Sequence, residues 1–440
     1  MYLFKSSGAL LCLIGTGALA YLPAVQAAPL TLEDAVNRAL ASDTWIKTSQ
    51  FNESSQRSMG DAAGRLPDPR FNLALANMPS DTLDFNQEPM TQLVFGVSQM
   101  IPRGDTLELN SSKFAQQADM QPLLREERKA RVRMEVSQLW LDAWQAQRSI
   151  DLIDDNRALF EQLVDVTTSS YVSALGRTRQ QDLIRAQLEL TQLENRLSRL
   201  QQQRDMASAK LSEWLLNVET DDAEISASTA LEFPTATPQL ASSETALEQI
   251  TNARRFIGHP SIQLFDRQIE LSRTDVDLAE QKYKPQWGLS ASYGYRGDDA
   301  MGSDRADLMS VGVSVEMPLF STRKQDSEVD AASSRVEAVR TERLLKLRQL
   351  VSAFDNAKAG YLNASDRIAL YQQQLLPQSH EAAEAALNAY TSDDGDFAEV
   401  VRARISELDN HLALIELSAQ QQKQLAQINY LLTSVDSEGR

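Results

Sequence analysis

Apolar and polar residues alternate one by one in four short segments of the chain, which come in two pairs. The apolar positions are Phe71, Leu73, Leu75, Leu93, Phe95, Val97, Trp287, Leu289, Ala291, Tyr293, Tyr295, Val311, Val313, Val315 and Met317. A two-residue period is typical of a β-strand with one apolar and one polar face. The pattern predicts a strand pair at 70–78 and 92–100, and a second pair at 286–296 and 308–317.

Longer segments around the strands have the three- and four-residue spacing of helices. Leu32 and Ala39 lie on one face of a helix of roughly 30 residues, which should end before Pro67 because the residue preceding a proline avoids the helical conformation. Two stretches almost free of turn residues, 103–173 and 323–391, predict helices of roughly 70 residues, each on the order of 100 Å long.

Each long helix is predicted to turn back on itself. The turns are marked by Gly176 and Gly395, and the segments that follow, 183–200 and 401–415, have the leucine spacing of a coiled-coil seam. Three residues should bend the long helices without ending them: Pro122, Gly360 and Pro377.

This order of elements occurs twice. Residues 69–73 (PRFNL) and 96–98 (GVS) return 216 positions later as 285–289 (PQWGL) and 312–314 (GVS). A fixed period of this kind indicates a duplicated structural unit. It predicts four successive regions: a first repeat at 28–216, a linker at 217–243, a second repeat at 244–433 and a C-terminal tail at 434–440.

The alternating strands fit a membrane wall better than a soluble sheet. Their length, about 9 or 10 residues, is what a tilted transmembrane strand needs. Four strands cannot close a barrel or hide their edges in lipid, so the chain should oligomerise. Two chains would supply about 8 strands and three would supply about 12, and both are permitted barrel sizes. An antiparallel sheet with one face on a soluble core is the alternative.

The N-terminus predicts export. Lys5, an apolar run and the small residues around Ala27 are typical of a signal peptide at 1–27, cleaved after Ala27. Cys12 is the only cysteine, so the mature chain can form neither a disulfide nor a thiolate metal site. The net charge is −18, or −19 without Lys5, which argues against nucleic acid as a partner.

No catalytic constellation is visible in the sequence. The three histidines, His259, His380 and His411, are scattered, and there is neither a nucleophile motif nor a phosphate-binding loop. We therefore predict that the protein is not an enzyme and needs no cofactor or metal. A passive conduit is compatible with this composition, with the energy for transport coming from a partner.

The signal peptide, duplicated strand pairs and paired helices, together with residues 182–187 (DLIRAQ) and their second copy 399–404 (EVVRAR), resemble the TolC family of outer membrane efflux proteins. The resemblance covers essentially the whole mature chain. It implies a mainly α fold with a membrane β-barrel: duplicated long-helix hairpins plus four transmembrane strands per chain, assembled as a trimeric α/β barrel. The barrel would lie in the outer membrane lipid of a Gram-negative bacterium, with the helices in the periplasm.

The resemblance also implies partners: a periplasmic adaptor (membrane fusion protein) and an inner-membrane pump. The turn of the second hairpin carries three carboxylates, Asp393, Asp394 and Asp396. Threefold symmetry would collect them into a ring that favours cations, a candidate periplasmic gate. The alternative is a solvated turn whose aspartates favour the next helix N-terminus.

Further candidate residues lie at the turns and on the fourth strand. The candidate adaptor contacts are Gly176, Arg177, Arg179 and Gly395. Glu316 is on the polar face of its strand and is predicted to face the lumen near the periplasmic rim, with a rim residue of no role in selectivity as the alternative.

The sequence thus favours the outer-membrane channel of a tripartite efflux or export system. Its substrate would be metal cations, drugs or, as in type I secretion, a polypeptide. The overall pattern leans towards heavy-metal efflux, although no His-rich or Met-rich tract is present. The alternative is a periplasmic coiled-coil adaptor or scaffold without a pore.

Overall fold

The computed structural model describes residues 29–172, 180–216, 232–240, 253–299, 301–392 and 395–434. The predicted signal peptide, the first hairpin turn and most of the linker and of the C-terminal tail lie outside the described residues. The described chain is mainly helical and contains a single four-stranded sheet. The predicted fold class, mainly α with two strand pairs, is confirmed.

The described part of the first repeat contains four helices: α1 (Leu32–Ser42), α2 (Thr44–Ala63), α3 (Thr106–Val172) and α4 (Gln180–Leu215). The prediction of a single opening helix was wrong. Asp43 leaves the helical conformation, and its carboxylate accepts a hydrogen bond from the Trp45 N–H (3.0 Å). This N-cap starts a second helix although the apolar pattern continues across it.

The second repeat contains α5 (Pro260–Glu280), α6 (Arg323–Leu370), α7 (Leu376–Thr391) and α8 (Phe397–Leu431). A π-helical turn, Tyr371–Leu375, separates α6 from α7 immediately before Pro377. Proline has no N–H to donate and its ring crowds the carbonyl four residues earlier, so the wider turn accommodates it. By contrast, α3 runs through Pro122 without interruption. Among the described helices, none is long and apolar enough to cross a membrane.

The sheet consists of β1 (Arg70–Ala76), β2 (Gln92–Ile101), β3 (Gln286–Tyr295) and β4 (Leu308–Glu316), antiparallel and in this order. The β2–β3 pairing therefore joins the two repeats into one sheet. Strand β1 ends two residues before the predicted boundary. Asn77 adopts a left-handed backbone (φ +55°), and its side chain donates to the Met90 carbonyl (3.1 Å).

The helices continue from one end of the sheet, and their contacts give a lateral order. Near the sheet the order is α2–α3–α5–α6; farther away it is α4–α3–α8, with α6 and α7 beyond α8. The two larger buried clusters of this layer lie around Trp140 and Trp144 of α3 and around Phe354 of α6. Within the described residues, the sheet and the helix layer each have an open edge on both sides.

Candidate functional site

Most large apolar side chains of the sheet lie on one face, whereas Val94, Met100 and Leu308 lie on the other. Cross-strand pairing aligns Leu73, Phe95, Tyr293 and Met309 in one row, and the neighbouring rows repeat the pattern. These side chains are exposed: Phe71 is 79% and Met309 77% accessible. No other described element covers this face, so water or lipid must contact it, and an apolar surface of this extent favours lipid.

The opposite face of the sheet is mainly small and polar. One of its rows contains Asn72, Gly96, Ser292 and Ser310. A Cβ on Gly96 would lie 2.1 Å from Asn72 Oδ1, because the asparagine side chain lies across Gly96 on this face. The two faces of the sheet therefore differ as the lipid and lumen faces of a transmembrane barrel do.

Both edges of the sheet are open. Within the described residues β1 pairs only with β2, and β4 pairs only with β3. Unpaired strand edges leave backbone N–H and C=O groups without partners, which is not tolerated in lipid. Another copy of the chain can satisfy these groups.

The helix layer has open edges on the same two sides. Large apolar side chains that are exposed on described α-helices belong to α2, α4 and α6: Phe51, Met59, Ile184, Leu188, Met206, Leu344, Leu345, Leu362 and Leu370. These are the edge helices, and Phe51 on α2 is 75% accessible. The central helices α3, α5 and α8 have no such residue in their described parts.

A polar rim connects the strands to the helices; its charged residues are Arg103, Asp105, Lys282, Lys284 and Glu316. Arg103 donates from Nη2 to Glu316 Oε1 (2.7 Å) and from Nη1 to the Lys282 carbonyl (2.6 Å). Lys284 pairs with Asp105 at 2.8 Å. These contacts fix the end of each hairpin to the start of the helices.

Glu316 lies at the end of β4, on the polar face of the sheet, two positions after Ser314. Its side chain remains 73% exposed although Arg103 binds one carboxylate oxygen. The sequence did not indicate the Arg103 contact, because the two residues are far apart in the chain and meet only when the second repeat closes on the first.

The second hairpin turn is partly described. The Asp396 carboxylate accepts from the Ala398 N–H (3.2 Å) and caps α8, the role that the solvated-turn alternative gives it. A Cβ on Gly395 would lie 2.6 Å from the Tyr390 backbone nitrogen, and the rings of Tyr390 and Phe397 meet edge to face (5.6 Å between centroids). Glycine is needed here because the chain folds back onto the end of α7.

The remaining turn residues singled out from the sequence lie outside the described part of the chain: Gly176, Arg177, Arg179, Asp393 and Asp394. Their roles stay predictions. Within the described residues, the two hairpins meet in a small apolar cluster that contains Ala186 of α4 and Val401 of α8.

Charged contacts between helices stabilise the region next to this cluster. Arg196 of α4 pairs with Asp409 of α8, and His380 of α7 contacts Glu407 of α8 through Nδ1 (2.7 Å). Burial alone would raise the pKa of the Glu407 carboxyl group, but hydrogen bonds from His380 and Arg404 outweigh burial and lower it. The sequence did not reveal these pairs, because they depend on how adjacent helices are rotated against each other.

His259 is a buried histidine outside the turns, 1% exposed, at the start of α5. Its Nδ1 accepts from the Ser261 N–H (3.2 Å), and its Nε2 faces the Tyr430 carbonyl at 3.3 Å. These contacts fit a neutral ring with its proton on Nε2. Burial holds the pKa of His259 below its usual range.

We expect His259 to make the protein less stable in mild acid. Because the pKa is lower in the folded than in the unfolded chain, the unfolded chain binds more protons at pH values below about 6.5. The free energy of unfolding should therefore keep its full value above that pH and decrease as the pH falls below it. His259→Asn keeps a capping oxygen without a titrating ring and should flatten this dependence. Urea unfolding monitored by circular dichroism at several pH values measures both proteins; equal pH dependence would contradict the prediction.

A metal site is not supported in the described part of the chain, where no three His, Cys, Asp or Glu side chains group to hold an ion. One cavity of about 220 Å³ lies in the groove between α3 and α4, and its lining includes Ile153, Leu193 and Glu194.

Comparison with solved structures identifies the fold. The chain superimposes on the outer membrane protein VceC of Vibrio cholerae (TM-score 0.70, 16% identity, 92% of this chain and 96% of that chain). It also superimposes on the CmeC outer membrane channel of Campylobacter jejuni (0.73, 12%, 92% and 87%) and on the open MtrE channel of Neisseria gonorrhoeae (0.69, 14%, 92% and 89%). At these identities the likeness concerns the fold.

A family model matches the sequence of the second repeat. Residues 257–434 match the sequence model of the family described as outer membrane efflux protein. No curated protein matches the chain at a significant level. The described chain therefore shares the fold of these outer membrane channels. The predicted resemblance to the outer membrane efflux proteins is thus confirmed over residues 257–434, and the pore-free scaffold is not favoured.

Proposed function

We propose that three copies of this chain form a closed channel that carries substrates from the periplasm through the outer membrane. The proposal rests on one observation: the sheet and the helix layer have their open edges on the same two sides. The sheet ends at β1 and β4, and the helix layer next to it ends at α2 and α6, which are the chain neighbours of those strands. One lateral contact between copies would therefore complete both layers together.

The exposed apolar residues of the edge helices support this assembly. A neighbouring copy placed beside α2 and α6 would cover side chains such as Phe51 and Leu344, which otherwise contact water. Burying apolar surface of this kind contributes about 25 cal/mol per Å². Three copies would supply about 12 strands, a size that leaves an interior passage.

The long helices supply the periplasmic part of the passage. Helix α3 contains 67 residues, which corresponds to about 100 Å at ~1.5 Å per residue. We propose that it spans the periplasm and that the hairpin turns meet a periplasmic adaptor, with Gly176, Arg177, Arg179 and Gly395 at the contact. An inner-membrane pump would supply the energy, because a passive wall performs no work.

We further propose that acidic residues line the periplasmic mouth. Asp393 and Asp394 are the main candidates, since Asp396 is engaged in capping α8. Rings of carboxylates favour cations. Glu316 would contribute a second, weaker ring at the lumenal rim of the sheet.

Conductance across planar lipid bilayers tests the channel and its mouth. The purified protein should insert as a particle of three copies, measured by analytical ultracentrifugation, and should conduct cations better than anions. The double variant Asp393→Asn/Asp394→Asn should lose much of this selectivity. The matched control, Asp298→Asn/Asp304→Asn, removes two exposed carboxylates from the loop between β3 and β4, at the other end of the molecule, and should change selectivity less.

Two outcomes would count against the proposal. A folded, membrane-inserted oligomer without conductance would favour a scaffold. Equal selectivity in wild type and in the Asp393/Asp394 variant would preserve the channel but remove the acidic mouth.

A further inference from the structure

We propose that an ion pair between Arg70 of one copy and Glu316 of the next joins the closing seam of the channel. This inference rests on the proposed closed oligomer and adds the residues that align its copies. The partner is a second copy of the same chain, and the contact surface is the edge of β1 against the edge of β4.

Charge distribution in the sheet is the first observation. The four strands contain two charged residues in all, Arg70 and Glu316. They have opposite signs, and they lie on the two open edges of the sheet. Side chains of opposite charge that face each other across neighbouring strands attract and favour that pairing.

Both residues lie on the same face and at the same end of the sheet. Arg70 pairs in register with Ser98, and the row continues through Ser290 to Gly312, all on the small, polar face. Glu316 lies four residues farther along β4 on that face. Arg70 begins β1 just after α2, and Glu316 ends β4 just before α6, so both mark the helix-side end of the sheet.

The stagger of the strands brings these two positions together across the seam. Beyond the row that contains Arg70, β2 continues towards the helices for three more residues, to Ile101. β4 continues in the same direction for four more residues, to Glu316. A closed barrel needs such a stagger to continue at every step around it. The next β1 must therefore start near the end of β4, which places its Arg70 beside Glu316.

The side chains have the free capacity that the contact needs. Arg70 is exposed and has no hydrogen-bond or ion-pair partner within the described residues. Arg103 uses Oε1 of Glu316, and a carboxylate accepts several hydrogen bonds. Glu316 would thus bridge Arg103 of its own copy and Arg70 of the neighbour, so that the rim of one chain is continuous with the edge strand of the next.

Cross-linking tests the geometry. The predicted mature chain is free of cysteine, so Arg70→Cys/Glu316→Cys introduces two thiols only. A short bifunctional methanethiosulfonate reagent should join copies into covalent trimers. The control pair Ala76→Cys/Glu316→Cys uses the far end of β1, about 20 Å from position 70, and should not cross-link. If the control pair cross-links and the first pair does not, the register is different and the inference is overturned.

Charge reversal tests the ion pair. Arg70→Glu should lower the temperature at which trimers dissociate in semi-native electrophoresis, whereas Arg65→Glu, the same change at an exposed position just before the strand, should leave it unchanged. Adding Glu316→Arg to Arg70→Glu should restore part of the loss. Equal dissociation temperatures for wild type and Arg70→Glu, in a protein that is trimeric and conducting, would refute the pair without touching the channel. A protein that never forms trimers would instead refute the proposed assembly.

Discussion

Ala291→Arg should prevent stable insertion of the protein into the membrane, whereas Ser292→Arg, one position further along β3, should be tolerated. Ala291 is in the row of Phe71, Val97 and Val311 on the apolar face, and Ser292 is on the small, polar face. An arginine on the lipid side near the bilayer centre costs about 2–4 kcal/mol, and every copy of the channel would bear this cost. An arginine in a wet lumen keeps its hydration.

The two variants form a matched pair, because both replace a small, half-buried residue in the middle of the same strand. Folding into lipid vesicles, followed by heat-modifiable migration in electrophoresis, measures the inserted fraction. Similar insertion of both variants would contradict the assignment of the faces. The reverse order of effects would mean that the apolar face is turned away from lipid.

Trp140→Ala should destabilise the helical part by about 3–5 kcal/mol, the usual effect of removing a large aromatic side chain from a packed core. Trp140 is fully buried in the cluster formed by α1, α3 and α4. Its Nε1–H donates to the Leu30 carbonyl (2.9 Å), and its ring meets Phe233 of the linker edge to face. The substitution therefore loosens the first repeat at the point where its N-terminal end and the linker meet α3.

Trp140→Phe separates the contribution of packing from that of the hydrogen bond, because phenylalanine fills most of the volume but cannot donate to the Leu30 carbonyl. Its expected effect is smaller, about 1–3 kcal/mol, from a buried carbonyl left without its donor and a partly filled site. Urea unfolding at constant pH gives both values. If alanine and phenylalanine destabilised the protein equally, the hydrogen bond would dominate and the packing prediction would be wrong.

The strands could be predicted because the alternation of apolar and polar residues is a local pattern and because prolines mark the ends of the segments clearly. Alternation from Trp287 to Tyr295 fixes both faces of β3 without any knowledge of its neighbours. The break at Asp43 was missed because the apolar spacing continues across it, and only the capping contact with Trp45 ends one helix and begins the next. The π-helical turn before Pro377 was foreseen as a bend, although its form depends on how the backbone relieves the proline.

The kinds of residue at the site and the faces they occupy could be predicted from the sequence, but most of their contacts could not. Glu316 was placed on the polar face from alternation alone, whereas its bond to Arg103 requires the tertiary structure. The capping role of Asp396 follows a local rule, since aspartate is favoured immediately before a helix. The pairing of β2 with β3 could not be read from the sequence, because two separate hairpins would show the same alternation.

That pairing also constrains how the protein is made. The partners in the middle of the sheet are separated by 186 residues at Ile101–Trp287 and by 202 at Leu93–Tyr295. Contacts between such distant segments form late, because a long loop must close before they are gained. The edge of β2 therefore has no partner strand until the second repeat has been synthesised and has reached the same compartment. During that interval the nascent chain displays an unpaired apolar strand, and it is then that a chaperone has most to protect.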